Sequence, residues 1–471
     1  MSIFQHPFAE TLVLLQRRNL PLSFPHESLL AYASFALQAC ILPVSARHDE
    51  RADCISVSSR TLDSVFGRGK FRALNGEVGW IETAALPGGS EYRFQPMVGA
   101  GVTRAYTLTP SGLEALTDVL GKEAGHVARS AGSRTPRHYG YALQSIMNNG
   151  THARGGFMMP SRVKLNRKAL RDLLDELALL KSDEEMLMPS KQLLQFAERL
   201  MQMAPEDRMR TILRYQIMTR MLLREADDAA KRGSKGVVQR YRQSEAGRWY
   251  GAADGLSLQN IPRELRRAAF RGNYLIDVDN CHFTLLAQMA QRIELDTPNI
   301  DALLADKELF RRDISAEVGT GVAEIKEALI SLLFGAQLHG ANSSLHELFN
   351  SDQLERFRAS AVIRGLAEEI RECAPAVVAS YRAKTKKSGA LINDLGKSIT
   401  ASTKDSKQAI AFLLQGAEAQ ILCALGAKYG KYMRLLLHDG FISAQRLELE
   451  HLIAHVQRQT GWKIRLSREI L

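Results

Sequence analysis

The sequence predicts a mainly helical α+β fold, and three observations lead to that expectation. Apolar side chains recur at helical spacing almost without interruption from Lys164 to about Ala230. Two short apolar runs, Tyr274–Val278 and Arg434–Leu437, have the period of strands and are followed by aspartates. Residues 1–120 mix short helical segments with alternating strands.

Composition limits the class of protein. The chain has 471 residues, which predicts two to four domains, and its 45% hydrophobic and 24% charged content is that of a soluble globular protein. A net charge of +11 indicates a polyanionic partner. Five scattered cysteines argue against a zinc ribbon or a disulfide framework. We find no signal-peptide layout and no uncharged apolar run of membrane length, so we expect a cytoplasmic protein without membrane contact.

Residues 1–120 predict a small DNA-binding module. A short helix is expected at Ser58–Gly67, and an alternating strand at Arg104–Thr109 follows a glycine-rich turn. This order resembles a winged helix-turn-helix, a module that places a helix in the major groove and basic residues on phosphates. The resemblance makes Arg60 and Lys70 candidate DNA contacts. A winged-helix fold used for protein contacts is the alternative.

The remaining chain divides by composition. Residues 121–137 are rich in Gly, Ser, Ala and Arg and predict a basic linker. Residues 138–236 predict a helical region, and residues 237–471 carry the patterns that indicate chemistry.

Aspartates follow both short apolar runs. Asp277 and Asp279 end the first, and Asp439 lies in a His-Asp-Gly turn after the second. If the two strands are adjacent, the aspartates can form a Mg²⁺ site, because that ion prefers hard oxygen ligands. A pair of such ions can clamp the attacking and leaving oxygens in phosphoryl transfer. The alternative is a buried strand whose acids only form a turn.

Two neighbouring stretches carry a family resemblance. The stretch GRWYGAADGLSLQNIPRELRRAAF, followed by YLIDVDNCHF, resembles the palm entry of family A (DNA polymerase I family) DNA polymerases. The resemblance implies that Asp279 is the first metal ligand. It also implies nucleic-acid contacts by Arg248, Gln259 and Asn260.

The segment Gly321–Gly335 resembles the fingers helix of the same family. Lys326, Ile330 and Phe334 are spaced by four residues and therefore share one helical face. The resemblance implies that Lys326 holds the triphosphate, while Ile330 and Phe334 pack against the base and sugar of an incoming nucleotide.

Two later segments extend the resemblance over roughly Arg240 to Phe441. Lys407–Gln420 resembles the palm helix whose glutamine, here Gln415, contacts the duplex minor groove. His438 and Asp439 resemble the last motif, which makes Asp439 the second metal ligand.

The sequence departs from the family at positions that bear on sugar choice. Thr284 stands where a glutamate usually excludes the ribonucleotide 2′-hydroxyl, and Phe334 replaces a tyrosine. Val322 replaces an arginine, and Gly440 replaces a glutamate. The Gly-Arg-Trp-Tyr and fingers patterns also resemble phage-type single-subunit RNA polymerases. We therefore expect both dNTPs and NTPs to be incorporated.

These resemblances predict a right-hand polymerase with palm, fingers and thumb and an N-terminal winged-helix-like module. Residues 138–236 would be thumb-like, and residues 237–471 would form palm and fingers. The expected activity is template-dependent addition of nucleotides to a primer, with two Mg²⁺ ions (or Mn²⁺ in their place) on Asp279 and Asp439 and a DNA template and primer as partners. Replication or priming of a mobile element is the expected context. An RNA-synthesising primase or single-subunit RNA polymerase, and a non-catalytic DNA-binding replication initiator, are the alternatives.

Overall fold

The computed structural model has the predicted fold class, a mainly helical α+β fold. It describes residues 69–83, 92–95, 101–122, 162–180, 193–239, 241–251, 257–339, 343–383, 390–400 and 406–471, together with Ile55–Val57, Leu29, Tyr32, Ala33, Phe35, Ala36, Leu62 and Phe66.

The N-terminal elements surround one small antiparallel sheet. They are β1 (Ile55–Val57), α1 (Lys70–Val78), β2 (Ile81–Thr83), β3 (Tyr92–Gln95), β4 (Gly101–Leu108) and α2 (Pro110–Lys122). Strand β4 pairs with each of the other three strands. Aromatic rings fill the core beside it, among them Phe35, Phe71 and Tyr106, with centroids 5.6–5.9 Å apart. The predicted strand at Arg104–Thr109 therefore lies in β4, whereas most of the predicted helix at Ser58–Gly67 falls outside the described residues.

A helical region follows, where the apolar periodicity predicts it. Its elements are β5 (Arg162–Val163), α3 (Arg167–Leu179), α4 (Leu194–Met201), α5 (Pro205–Lys231) and β6 (Val237–Val238). Its buried side chains form one hydrophobic core with those of the N-terminal elements. Arg210 of α5 also binds Glu82 of β2 at 2.8 Å. Residues predicted to form separate modules thus share a core.

A four-stranded antiparallel sheet forms the centre of the C-terminal half. Its strands are β9 (Tyr274–Val278), β12 (Met433–Leu436), β13 (Gly440–Ser443) and β14 (Leu466–Ile470). The spatial order is β12-β13-β9-β14. Because β9 and β13 are neighbours, Asp277 lies opposite Gly440, and the Val278 N–H donates to the Asp439 carbonyl at 2.9 Å. The two apolar runs are therefore adjacent strands.

Helices pack around this sheet. They are α6 (Arg263–Ala269), α7 (Cys281–Gln291), α8 (Pro298–Ala305), α9 (Lys307–Val318), α10 (Val322–Leu333), α11 (Ser351–Ala359), α12 (Ala361–Ala383), α13 (Ser406–Tyr429) and α14 (Leu449–Thr460). Two-stranded ribbons β7 (Tyr241–Gln243) with β8 (Trp249–Gly251), and β10 (Ala390–Ile392) with β11 (Ser398–Thr400), complete the fold.

One helical stretch has the length and composition of a candidate membrane span. Among the described helices, Lys407–Tyr432 alone is long and apolar enough, with 26 residues and a mean hydropathy of 1.5. However, 72% of its apolar window is buried inside the protein. The core helix of a soluble protein has the same length and composition, so this helix does not by itself indicate a membrane.

Candidate active site

Two carboxylates meet where β9 ends and β13 begins. Asp277 belongs to β9, Asp439 directly precedes β13, and the pairing of Asp277 with Gly440 places the two carboxylates side by side. Burial, reinforced by the charge of Asp439, raises the pKa of Asp277 to about 8, while Lys326 acts in the opposite direction.

Gly440 makes room for this pair. A Cβ atom at this position would lie 2.3 Å from the Ile276 carbonyl oxygen and 2.8 Å from Asp277 Oδ1. Any larger side chain would have to push β13 away from β9. The glutamate that the family resemblance leads one to expect here is thus excluded by the close approach of the two strands.

Asp279 has a different environment. Its carboxylate accepts a hydrogen bond from Lys307 Nζ, at the start of α9, at 2.7 Å. The next residue, Asn280, has a left-handed backbone (φ 45°), and its side-chain oxygen accepts from Arg311 at 2.7 Å. Asp279, the predicted first metal ligand, is therefore paired with Lys307 of α9. Asp277 lies beside Asp439, although the resemblance gives Asp277 no metal role.

A half-buried arginine lies close to the carboxylate pair. Burial, followed by the neighbouring Arg263, lowers the pKa of Arg266, and the charges of Asp439 and Asp277 oppose that shift. Arg266 also donates to the Gln259 carbonyl at 3.3 Å. The sequence places it in an arginine-rich segment, but helical spacing does not tell which of these arginines points inward.

Helix α10 presents the predicted nucleotide-binding side chains on its less buried face. Lys326 is exposed, whereas Ile330 and Phe334 are half-buried. Phe334 is the C-cap residue of the helix. The opposite face packs into the core through Ile325, Ala328, Leu329, Leu332 and Leu333. The helix itself was predicted, and its exposed stripe is the one that contains these three residues.

The ring of Phe334 meets His282 and not Thr284. The two rings are 5.3 Å apart, edge to face. Positions 282 and 284 of α7 differ by about 200° around the helix axis, at 3.6 residues per turn. The Thr284 hydroxyl instead donates to the Asp279 carbonyl of the preceding turn at 3.4 Å.

His282 belongs to a buried network centred on Glu418. Glu418 lies within α13 and is 1% exposed. Its carboxylate accepts hydrogen bonds from His282 Nε2 at 2.7 Å and from Arg248 Nε at 2.8 Å. Burial alone would raise the pKa of Glu418, but Arg248 and His282 hold it below its usual value. For Arg248, burial would lower the pKa, yet Glu418 outweighs it and the pKa is raised. Arg248, a predicted nucleic-acid contact, therefore has its guanidinium turned toward the interior.

Gln259 is also directed inward. Its side-chain oxygen accepts from the Gly251 N–H at 2.7 Å, and its amide nitrogen donates to the carbonyls of Trp249 and Leu436 at 3.1 and 3.2 Å. The amide thus ties β8 to β12 and is unavailable to a nucleic acid. Its neighbour Asn260 is exposed.

The remaining predicted contacts are dispersed. Gln415 is half-buried on α13, and the His438 ring lies 4.9 Å from that of Tyr250. Lys70 is exposed at the first residue of α1, within the N-terminal elements. Arg60 lies outside the described residues.

The donor set fits a hard divalent cation. Two carboxylates held in contact supply anionic oxygens, and Mg²⁺ is commonly bound by one or two carboxylates together with water and substrate phosphates. In the described part of the chain, no group of three or more His, Cys, Asp or Glu side chains is arranged to hold a metal by protein ligands alone. Asp277 and Asp439 would therefore share the ion with oxygens that the protein does not provide.

The POL domain of Pol1 from M. smegmatis, in complex with DNA primer-template and dNTP, is similar to this chain with a TM-score of 0.41 and 15% sequence identity. The similarity covers 66% of this chain and 67% of that one. No family model and no curated protein matches the chain.

Proposed function

We propose that this protein is a template-dependent nucleotidyltransferase of the DNA polymerase type, with a divalent metal site on Asp277 and Asp439. One observation carries the proposal: the pairing of β9 with β13 places the Asp277 and Asp439 carboxylates side by side, and Lys326 of α10 is close enough for its charge to act on Asp277. Carboxylates that bind a metal, close to a cation that can hold phosphates, are the groups that phosphoryl transfer requires.

Each group has a distinct role in this proposal. When bound, a divalent metal would supply charge stabilisation at the phosphoryl group and would lower the pKa of the attacking hydroxyl. Asp277 and Asp439 would hold the metal, and the positive charge of Arg266 would orient the two carboxylates. Lys326 binds the triphosphate as a point charge, and the half-buried Ile330 and Phe334 pack against the base and sugar.

Asp277 replaces Asp279 as the proposed first ligand. The contact between Asp277 and Asp439 supports this choice, as does the ion pair that engages Asp279 with Lys307. Asp279 would position α9 against the turn after β9 and would not hold the metal directly.

Sugar discrimination is assigned to His282 in place of Thr284. His282 lies against Phe334 and is held by Glu418, so the ring cannot rotate away without losing a buried hydrogen bond. A change in the shape of a nucleotide pocket alone alters selectivity by about tenfold to two-hundredfold. His282→Ala should therefore change the ratio of dNTP to NTP incorporation, and Thr284→Ala should leave that ratio within about twofold.

A primer-extension assay tests the function. The full chain is incubated with a primed DNA template, either dNTPs or NTPs, and Mg²⁺, Mn²⁺ or chelator. Metal-dependent extension that follows the template sequence is expected, and Asp439→Asn should abolish it. Template-directed synthesis only from NTPs and without a primer would assign the protein to RNA synthesis. DNA binding without any incorporation would indicate a non-catalytic initiator and would refute the proposal.

A further inference from the structure

A cluster of exposed cations lies away from the carboxylate pair. We call it the β5–β6 patch, and it consists of Arg162, Lys164, Lys168, Arg232 and Lys235. Two chain segments bring it together, since β5 pairs with β6 and Arg162 donates to the Ser234 hydroxyl. A Cβ at Gly236 would lie 2.9 Å from the Lys164 backbone nitrogen, so the two segments are in direct contact.

Acidic side chains do not neutralise the patch. The nearby Asp227 is engaged by Arg167 at 2.9 Å and Arg171 at 3.8 Å, and Asp228 lies 3.8 Å from Lys231. None of the five patch residues forms a salt bridge with another described residue. The neighbouring acids are therefore already paired with other cations.

Fold stability accounts for one of these charges but not for the other four. Cations near the end of α5 are favourable for the helix dipole, which explains Arg232. Lys168, in contrast, lies in the first turn of α3, where the dipole disfavours a cation and no acidic residue is present. Arg162 and Lys164 lie outside any helix. A polyanion bound to the patch would account for all five.

The sequence around and before the patch has the same excess of positive charge. Between Ala124 and Arg171 there are nine Lys and Arg residues and no Asp or Glu. Such a stretch attracts polyanions over a distance of about one Debye length, roughly 8–10 Å at ordinary salt.

We propose that the β5–β6 patch binds the phosphate backbone of a nucleic acid, independently of sequence. The identification of this polyanion as a nucleic acid rests on the proposed function. Asn166, next to Lys164, donates to the Arg271 carbonyl just before β9, whereas Asp277 is near the other end of that strand. From Tyr274 to Asp277 the strand advances by about 10 Å, at 3.3 Å per residue. A duplex spans that length in about three base-pair steps.

A salt titration of DNA affinity tests the patch. Binding of a labelled primer-template to the full chain is measured by fluorescence anisotropy at several salt concentrations. The test variant carries Lys164→Gln, Arg232→Gln and Lys235→Gln. The control variant carries Arg371→Gln, Lys428→Gln and Arg458→Gln and so loses three positive charges as well. These residues are exposed on α12, α13 and α14.

Each lost phosphate contact lowers the slope of log affinity against log salt by about 0.9, so the test variant should lose about 2–3 from the slope. The control should keep the slope of the unmodified protein. Equal slopes in test and control variants would overturn the patch proposal. Incorporation of one nucleotide at saturating DNA is measured alongside and should persist in the test variant, so that failure of the patch and failure of the catalytic proposal are told apart.

Discussion

Gly440 is the residue on which the geometry of the carboxylate pair depends. A methyl group there would overlap the Ile276 carbonyl at 2.3 Å, and that contact is to backbone that cannot rotate away. The two strands must separate, which moves Asp439 relative to Asp277.

We therefore expect Gly440→Ala to lower the free energy of unfolding by about 1–3 kcal/mol, as overpacking does, and to weaken incorporation. Denaturant titration and primer extension measure the two effects. Gly76→Ala is the matched control, because a Cβ at that helical position meets nothing within 4 Å. The control should gain about 0.5–1 kcal/mol. Unchanged stability and activity in Gly440→Ala would show that the strands tolerate a wider spacing.

At the scale of elements, helix α8 begins with a cap supplied from another helix. The buried Glu369 of α12 accepts hydrogen bonds from the backbone N–H groups of Asn299 and Ile300, each at 2.8 Å. Its carboxylate also accepts from the Asn299 side chain at 2.8 Å. The cap satisfies donors that the first helical turn leaves open.

Glu369→Ala should lower the free energy of unfolding by about 1–3 kcal/mol, because buried donors lose their acceptor. Hydrogen exchange at Asn299 and Ile300 should accelerate in the same variant. The exposed neighbour Glu368 provides the control, and Glu368→Ala should stay within about 0.5 kcal/mol. Equal effects of the two variants would mean that the cap contributes nothing.

The sequence predicts the elements better than the contacts between them. The α10 stripe of Lys326, Ile330 and Phe334 follows from helical spacing, because that pattern is local. Asp277 and Asp279 lie on the same side of a strand, so alternation cannot tell which one meets Asp439. The pairing of β9 with β13 decides this, and it joins residues more than 160 positions apart.

Sequence analysis also does not predict which polar side chains point into the core, for a related reason. Glu418 lies in an apolar helix, and its partner Arg248 is 170 positions away. Gln259 and Arg248 stand in a motif that suggests ligand contact, yet their hydrogen bonds are internal. Whether a polar side chain points inward depends on packing that one segment alone does not encode.

At the scale of the whole molecule, the N-terminal elements and the helical region share one core. Helix α2 packs along α5, and removing residues 1–122 would expose that apolar surface to water. We expect the truncated chain to unfold at a lower temperature than the full chain and to aggregate, as measured by thermal scanning with light scattering. A truncated chain with the same transition temperature would instead establish the N-terminal elements as an independent module.

The central claim is that Asp277 and Asp439 hold the catalytic metal. It is tested most directly by metal-dependent primer extension with Asp277→Asn, Asp279→Asn, Asp439→Asn and, as a control, the exposed Asp313→Asn. The account predicts a loss of about a thousandfold for Asp277→Asn and Asp439→Asn, since a metal contributes several kcal/mol to the transition state. It predicts at most about a tenfold loss for Asp279→Asn and none for Asp313→Asn. An Asp277→Asn enzyme that retains activity while Asp279→Asn is inactive would contradict it.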